Sequence, residues 1–112
     1  MDYSKGDLVI ISYPFSNFKE SKIRPALIIS NNFFNKNTED FILVPLTSIL
    51  KKKPFTLLLY PDDMALGNLI KASNIRVDKI FSMKKELVKT KIGIVNKIIL
   101  KRIENEFMKI LK

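Results

Sequence analysis

Lys22-Ile23-Arg24-Pro25-Ala26-Leu27-Ile28-Ile29-Ser30 is the stretch on which the fold turns. Its apolar half, Ala26 to Ser30, is continuous rather than alternating, as in a strand covered on both faces. Pro25 is tolerated at the first residue of such a strand, where the ladder asks no N–H of it. Arg24 precedes that proline, so its backbone is pushed to an extended conformation. The arginine then stands at a rigid strand entrance with a planar set of donors, well suited to gripping a phosphate. An arginine that caps a loop by bonding carbonyls is the other reading, and these residues alone leave both open.

Working outward, similar runs recur. Leu8 to Tyr13 follows a Gly6-Asp7 turn signal, Phe41 to Val44 is a further run, and Phe55 to Tyr60 another. Ile70 to Val77 and Leu87 to Ile94 are weaker strand candidates. The period changes at the C-terminus. Asn96 is a good N-cap, and Ile99, Ile103, Phe107 and Leu111 follow at steps of four. Lys101, Arg102, Glu104, Asn105, Glu106 and Lys109 lie between them. That polar face mixes both signs, so the spacing predicts a helix over Asn96–Leu111 laid on a sheet, not on a membrane surface. Strands followed by a helix predict a mainly β, α+β fold: a small twisted sheet or partly open barrel with a terminal helix.

Pro45-Leu46-Thr47-Ser48 is the second local signal. Pro45 near a strand end marks an edge or a bulge, and Thr47 and Ser48 emerge as the strand leaves the core. Taken alone this is an ordinary strand terminus with turn-forming hydroxyls. The two signals gain force together. If strands 26–30 and 41–46 are antiparallel neighbours, the chain reverses within Asn31–Asp40. Pairing Ser30 with Phe41 then places Arg24 opposite Thr47 at one edge of the sheet.

Three other stretches carry polar groups. Lys71-Ala72-Ser73-Asn74-Ile75-Arg76-Val77-Asp78-Lys79 alternates in strand fashion, with Lys71 and Ser73 expected to face out and Arg76–Asp78 open to reading as an ion pair. Asp62-Asp63 after Pro61 resembles a turn and N-cap more than a metal site, which needs further ligands. Lys51-Lys52-Lys53 reads as a solvated hairpin end or a contact for RNA backbone. In the first loop, Phe15 to Ser21, Phe15 and Phe18 offer rings for base stacking or for packing, with packing preferred for Phe15.

Composition bounds the chemistry. The 112 residues fit one domain, 1–112, and their apolar content suffices for a single core. The chain holds neither cysteine nor histidine. Disulfides, thiol nucleophiles and imidazole acid–base catalysis are therefore excluded. Any metal site would rest on eleven Asp and Glu alone, and no metal or other cofactor is expected. The net charge of +9 fits an anionic partner such as nucleic acid, and equally a lysine-rich solvated surface. The N-terminus carries no apolar signal-peptide core and no run reaches the length of a membrane span, so a cytoplasmic protein without a membrane partner is expected.

Lys5-Gly6-Asp7 before an apolar strand, then Arg24-Pro25-Ala26-Leu27-Ile28-Ile29-Ser30, Val44-Pro45-Leu46-Thr47-Ser48 and Ile75-Arg76-Val77-Asp78-Lys79, in that order, resembles the MazF/PemK-like toxins. The resemblance runs over nearly the whole chain. It implies an SH3-like barrel of the MazF/CcdB type with a terminal helix, a homodimer, an acidic antitoxin partner and metal-independent cleavage of messenger RNA. It makes Arg24 and Thr47 the catalytic positions. The chain departs from the pattern at Ser73-Asn74, where such toxins often carry an acidic residue followed by Gln, and in lacking a first-loop histidine.

On this reading Arg24 binds the scissile phosphate and Thr47 donates to a phosphoryl oxygen. An arginine side chain keeps its charge over the working pH range, which suits neutralising charge better than taking up a proton. Ser48, Ser73 and Asn74 would line the site. Asn17, Lys19, Lys22, Lys71 and Arg76 would follow the single-stranded RNA. Two rival readings are a non-catalytic nucleic-acid-binding module of SH3-like fold and a CcdB-like toxin that binds gyrase.

Overall fold

The computed structural model describes residues 3–13 and 22–112. Eight strands and two helices follow in order: β1 (Asp7–Tyr13), β2 (Lys22–Ile28), α1 (Asn32–Asn37), β3 (Asp40–Thr47), β4 (Thr56–Leu59), β5 (Met64–Gly67), β6 (Ser73–Arg76), β7 (Phe81–Lys84), β8 (Val88–Val95) and α2 (Lys97–Leu111). The strands form one sheet in the order β4-β6-β3-β2-β1-β8-β5, with β7 paired to β3 off that path. All the pairings are antiparallel. This is the expected mainly β architecture with a C-terminal helix.

Successive residues of the central strands enter two different cores. Leu8, Leu27, Val44 and Leu46 pack with Ile99 and Ile103 of α2. Val9, Ile11, Ala26, Ile28, Phe41 and Leu43 pack on the opposite side with Met83 of β7. Both faces of β1, β2 and β3 are therefore buried, which is why their sequences run apolar without alternation. The helix begins as the sequence predicts, with the Asn96 side chain accepting from Ile99 N at 2.9 Å. Ile99 and Ile103 are buried and Phe107 packs against their cluster, whereas Leu111 is exposed.

Several boundaries differ from the sequence reading. β2 starts at Lys22, so Arg24 and Pro25 lie inside a strand rather than at its entrance. Pro45 lies neither on an edge strand nor at a bulge of the β2–β3 pairing; it faces Ala26 of β2. On its other side β3 changes partner there, pairing with β7 through Leu43 and with β6 from Leu46. A missing N–H is tolerated where the ladder breaks. Lys51–Lys53 is not a hairpin end, because β6 lies between β3 and β4 and the segment crosses over. β5, β7 and α1 give no periodic signal in the sequence, because the first two have four residues each and α1 six.

The β2–β3 register is the expected one: Ala26 opposite Pro45, Leu27 opposite Val44, Ile28 opposite Leu43. It is locked where the strands meet α1. Ser30 and Asn35 are buried, 7% and 5% exposed. The Ser30 hydroxyl donates to Asn35 Oδ1 at 2.5 Å and accepts from Ile42 N at 3.0 Å. Asn35 Nδ2 returns a bond to Ser30 O at 3.0 Å. The Lys85 ammonium donates to Asn35 O from the start of the turn after β7. Ser30→Ala should therefore cost about 1–3 kcal/mol in urea denaturation, because Ile42 N and Asn35 lose buried partners. A loss below about 0.5 kcal/mol, the scatter of neutral surface changes, would show that the register is held elsewhere.

Candidate functional site

Arg24 lies in β2 opposite Ile11 of β1. Continuing the β2–β3 pairing by two residues brings Thr47 opposite it on the other side. The juxtaposition is seen directly in an open depression of roughly 630 Å³ lined by Arg24, Thr47, Ser48, Lys71 and Ser73, with Ile23 and Ile49 at its rim. Arg24, Ser48 and Lys71 are exposed to it. Ser73, expected to face out, is instead buried, and its hydroxyl is 3.4 Å from Lys71 O. No acidic side chain occurs among the described lining residues, so two cations face the depression without a counter-charge there.

Thr47 is oriented by its own turn. Its Oγ1 accepts from Ile49 N at 3.2 Å, which leaves the hydroxyl hydrogen to donate outward. Asn74, opposite Thr47 on β6, is buried and turned away from the depression. Its amide donates to Ile49 O at 3.1 Å and to Lys51 O at 3.0 Å. Asn74 thus fixes the segment leaving Thr47, a positioning role that its placement beside Ser73 in sequence does not reveal.

The remaining candidates are dispersed. Arg76, further along β6, forms a bidentate pair with Asp78, Nε to Oδ1 at 2.9 Å and Nη2 to Oδ2 at 2.8 Å. These hydrogen bonds hold the Asp78 carboxyl below its usual range and raise the Arg76 guanidinium. The charge of Arg76 is matched on its own strand end. Lys22 occupies the first position of β2, opposite Tyr13. Asn17 and Lys19, with Phe15 and Phe18, lie outside the described residues. Asp62 and Asp63 form the expected turn, with Asp63 accepting from Tyr60 N at 2.8 Å.

A second depression of about 500 Å³ lies at the other end of β3, lined by Tyr3, Asn32, Lys36, Phe41 and Lys85 among others. Its Lys85 is engaged, donating to Asn35 O and standing 5.8 Å from the centre of the Phe41 ring. The Arg24–Thr47 depression combines exposed cations with a hydroxyl oriented by its own turn.

Sequence and structure comparisons agree on what this resembles. No curated protein matches the sequence. The fold is similar to an endoribonuclease solved in complex with its cognate antitoxin from a mycobacterial species (21% identity, 98% of this chain and 95% of that one, TM-score 0.79). It is also similar to the MazE–MazF complex of Deinococcus radiodurans (19%, 97% and 95%, 0.77) and to Mycobacterium tuberculosis toxin MazF-mt6 (16%, 92% and 89%, 0.66). Residues 4–111 match the family model described as PemK-like, MazF-like toxin of type II toxin–antitoxin system. The match spans nearly the whole domain, and the chain belongs to the PemK-like, MazF-like toxin family.

Proposed function

We propose that the protein is a toxin endoribonuclease that cleaves single-stranded messenger RNA at the Arg24–Thr47 depression without a metal ion. The observation that carries this reading is an exposed arginine and an oriented hydroxyl in one cationic depression with no acidic residue in its described lining. RNA supplies its own nucleophile. The 2′-oxygen bonds to phosphorus as the bond to the 5′-oxygen breaks, leaving a 2′,3′-cyclic phosphate and a 5′-hydroxyl. The 2′-hydroxyl releases its proton to water, and the 5′-oxygen takes one up from water. Arg24 neutralises the charge that builds on the phosphoryl oxygens, and Thr47 donates a hydrogen bond to one of them. Ser48 and Ser73 line the depression, Asn74 positions its wall, and Lys71 engages the neighbouring backbone. A messenger RNA substrate supports a cytoplasmic site of action.

Labelled RNA incubated with the purified protein in EDTA tests this. Cleavage should persist in EDTA and yield 5′-hydroxyl ends. Arg24→Ala should lower kcat by about 100- to 1000-fold with the fold intact, the usual effect of removing one transition-state donor. Binding without cleavage would favour a non-catalytic module, and inactivity on RNA with binding to gyrase would favour the protein-directed reading. Undiminished cleavage by Arg24→Ala would remove that residue from the chemistry.

The same surface supports a homodimer held in check by an acidic antitoxin segment. Ile23, Ile49, Leu50 and Ile70 are exposed at or beside the depression, apolar surface that marks a partner site. With a net charge of +9, the protein should attract an acidic peptide that folds as it binds and competes with RNA. Sedimentation should give about twice the chain mass, and added salt should weaken both peptide and RNA binding. A monomer at micromolar concentration would overturn the dimer.

A further inference from the structure

The cavity of about 500 Å³ at the far end of β3 takes no part in the chemistry proposed above. Phe41 there and Thr47 in the other depression are six strand residues apart on β3, roughly 20 Å at the usual rise of a strand. Three short pieces of chain build this second cavity. On α1, Asn32, Asn35 and Lys36 stand at i, i+3 and i+4 and so share one face of the helix. The pairing of Asp40 with Lys84 ends β7 beside the start of β3. Lys85 N then donates to Glu39 O at 3.0 Å, which anchors Lys85 next to Phe41. On the third side, Ser4 N donates to Asp7 Oδ2 at 2.9 Å and holds the segment that carries Tyr3. The Tyr3 ring meets the Phe41 ring edge-on, with centroids 6.2 Å apart. Phe41 is a core residue, whereas Tyr3 is partly exposed.

Charge is the second observation. Lys85 is half-buried, and its ammonium donates to Asn35 O and stands 5.8 Å from the centre of the Phe41 ring. The bond to Asn35 uses one of three ammonium donors, and a neutral carbonyl does not offset the charge. Lys36 is exposed on the adjoining face of α1. Neither lysine forms an ion pair among the described residues, and the described lining holds no Asp or Glu. Withdrawing an ammonium from water without a counter-charge is costly, and an anion in the cavity would supply that charge. The volume is in the range of small-molecule sites and exceeds what a bare inorganic anion fills. Beyond the lysines, the Tyr3 ring offers an aromatic face and Asn32 an amide for hydrogen bonding.

We propose that this cavity is a binding site for a free mononucleotide, separate from the Arg24–Thr47 depression. Lys36 and Lys85 hold the phosphate, the base lies against Tyr3, and the Asn32 amide meets its polar edge. The site does not depend on the cleavage reading, because it shares no residue with the Arg24–Thr47 depression.

Isothermal titration with AMP, adenosine and inorganic phosphate, on the wild type and four variants, tests the site. AMP should bind at saturation and more tightly than either fragment. Lys36→Gln, on an exposed position, should weaken AMP on the order of 10-fold, the loss of one charge-assisted bond. Lys85→Gln should do the same; it keeps a donor for Asn35 O, so an unchanged urea midpoint would assign the loss to the missing charge. Tyr3→Ala should weaken AMP by a similar factor while leaving the affinity for inorganic phosphate unchanged. Arg24→Ala should bind AMP as the wild type does. Equal affinity for AMP and inorganic phosphate would overturn the nucleotide assignment. Undiminished AMP affinity in Lys36→Gln, or loss of AMP binding in Arg24→Ala, would place the ligand elsewhere and overturn the site. Failure of the wild-type protein to bind AMP would overturn it outright, and RNA cleavage by that same protein would leave the cleavage reading standing.

Discussion

The alignment of β2 against β3 is the constraint on which the site depends. A shift of one residue would turn every side chain of β2 to the other face, exchanging one core for the other. Because both faces are buried, apolar burial alone distinguishes the registers weakly: Leu27 and Ile28 would exchange cores with little change in character. The buried polar pair Ser30 and Asn35 is far more selective. The Ser30 hydroxyl meets Ile42 N and Asn35 Oδ1 in this alignment, and a slipped strand would leave those groups buried without partners. A polar lock at one end of the strand pair thereby sets which residues meet at the other end, where Arg24 and Thr47 share a depression.

Much of this was legible in the sequence, for identifiable physical reasons. The apolar runs of β1, β2 and β3 and the four-residue steps of α2 carry strong signals because each element buries its apolar residues in quantity. The Arg24–Thr47 alignment followed from antiparallel neighbours and a single assumed pair. Short elements were opaque: Phe81 and Met83 of β7 alternate correctly with Ser82 and Lys84, but four residues do not outweigh a loop reading. α1 hid in an asparagine-rich stretch that reads as a turn, although Asn31 caps it by accepting from Phe34 N. Asn74 was assigned to the site by its neighbours in sequence. Its actual partners, the carbonyls of Ile49 and Lys51, are more than twenty residues away in the chain. Such contacts leave no local pattern.

The electrostatics follow from what the chain lacks. The described lining of the depression offers cations and hydroxyls but neither a histidine nor a carboxylate to exchange protons. Arg76 shows the contrast. Its bidentate partner Asp78 takes two of its five donors and offsets its charge on a partly exposed strand end, a pairing of modest energetic worth. Arg24, Lys71 and the lysines of the crossover segment carry no such partner among the ion pairs of the described residues.

The central claim is that Arg24 and Thr47 act on one phosphate because the β2–β3 register places them together. A double-mutant cycle on RNA cleavage, with Arg24→Lys, Thr47→Val and the pair, measures this most directly. Two groups serving the same phosphoryl oxygens should be coupled, so the double variant should lose less than the product of the single losses, by about 1 kcal/mol or more. Losses that multiply to within about 0.5 kcal/mol would contradict the account, since residues acting independently add to that precision.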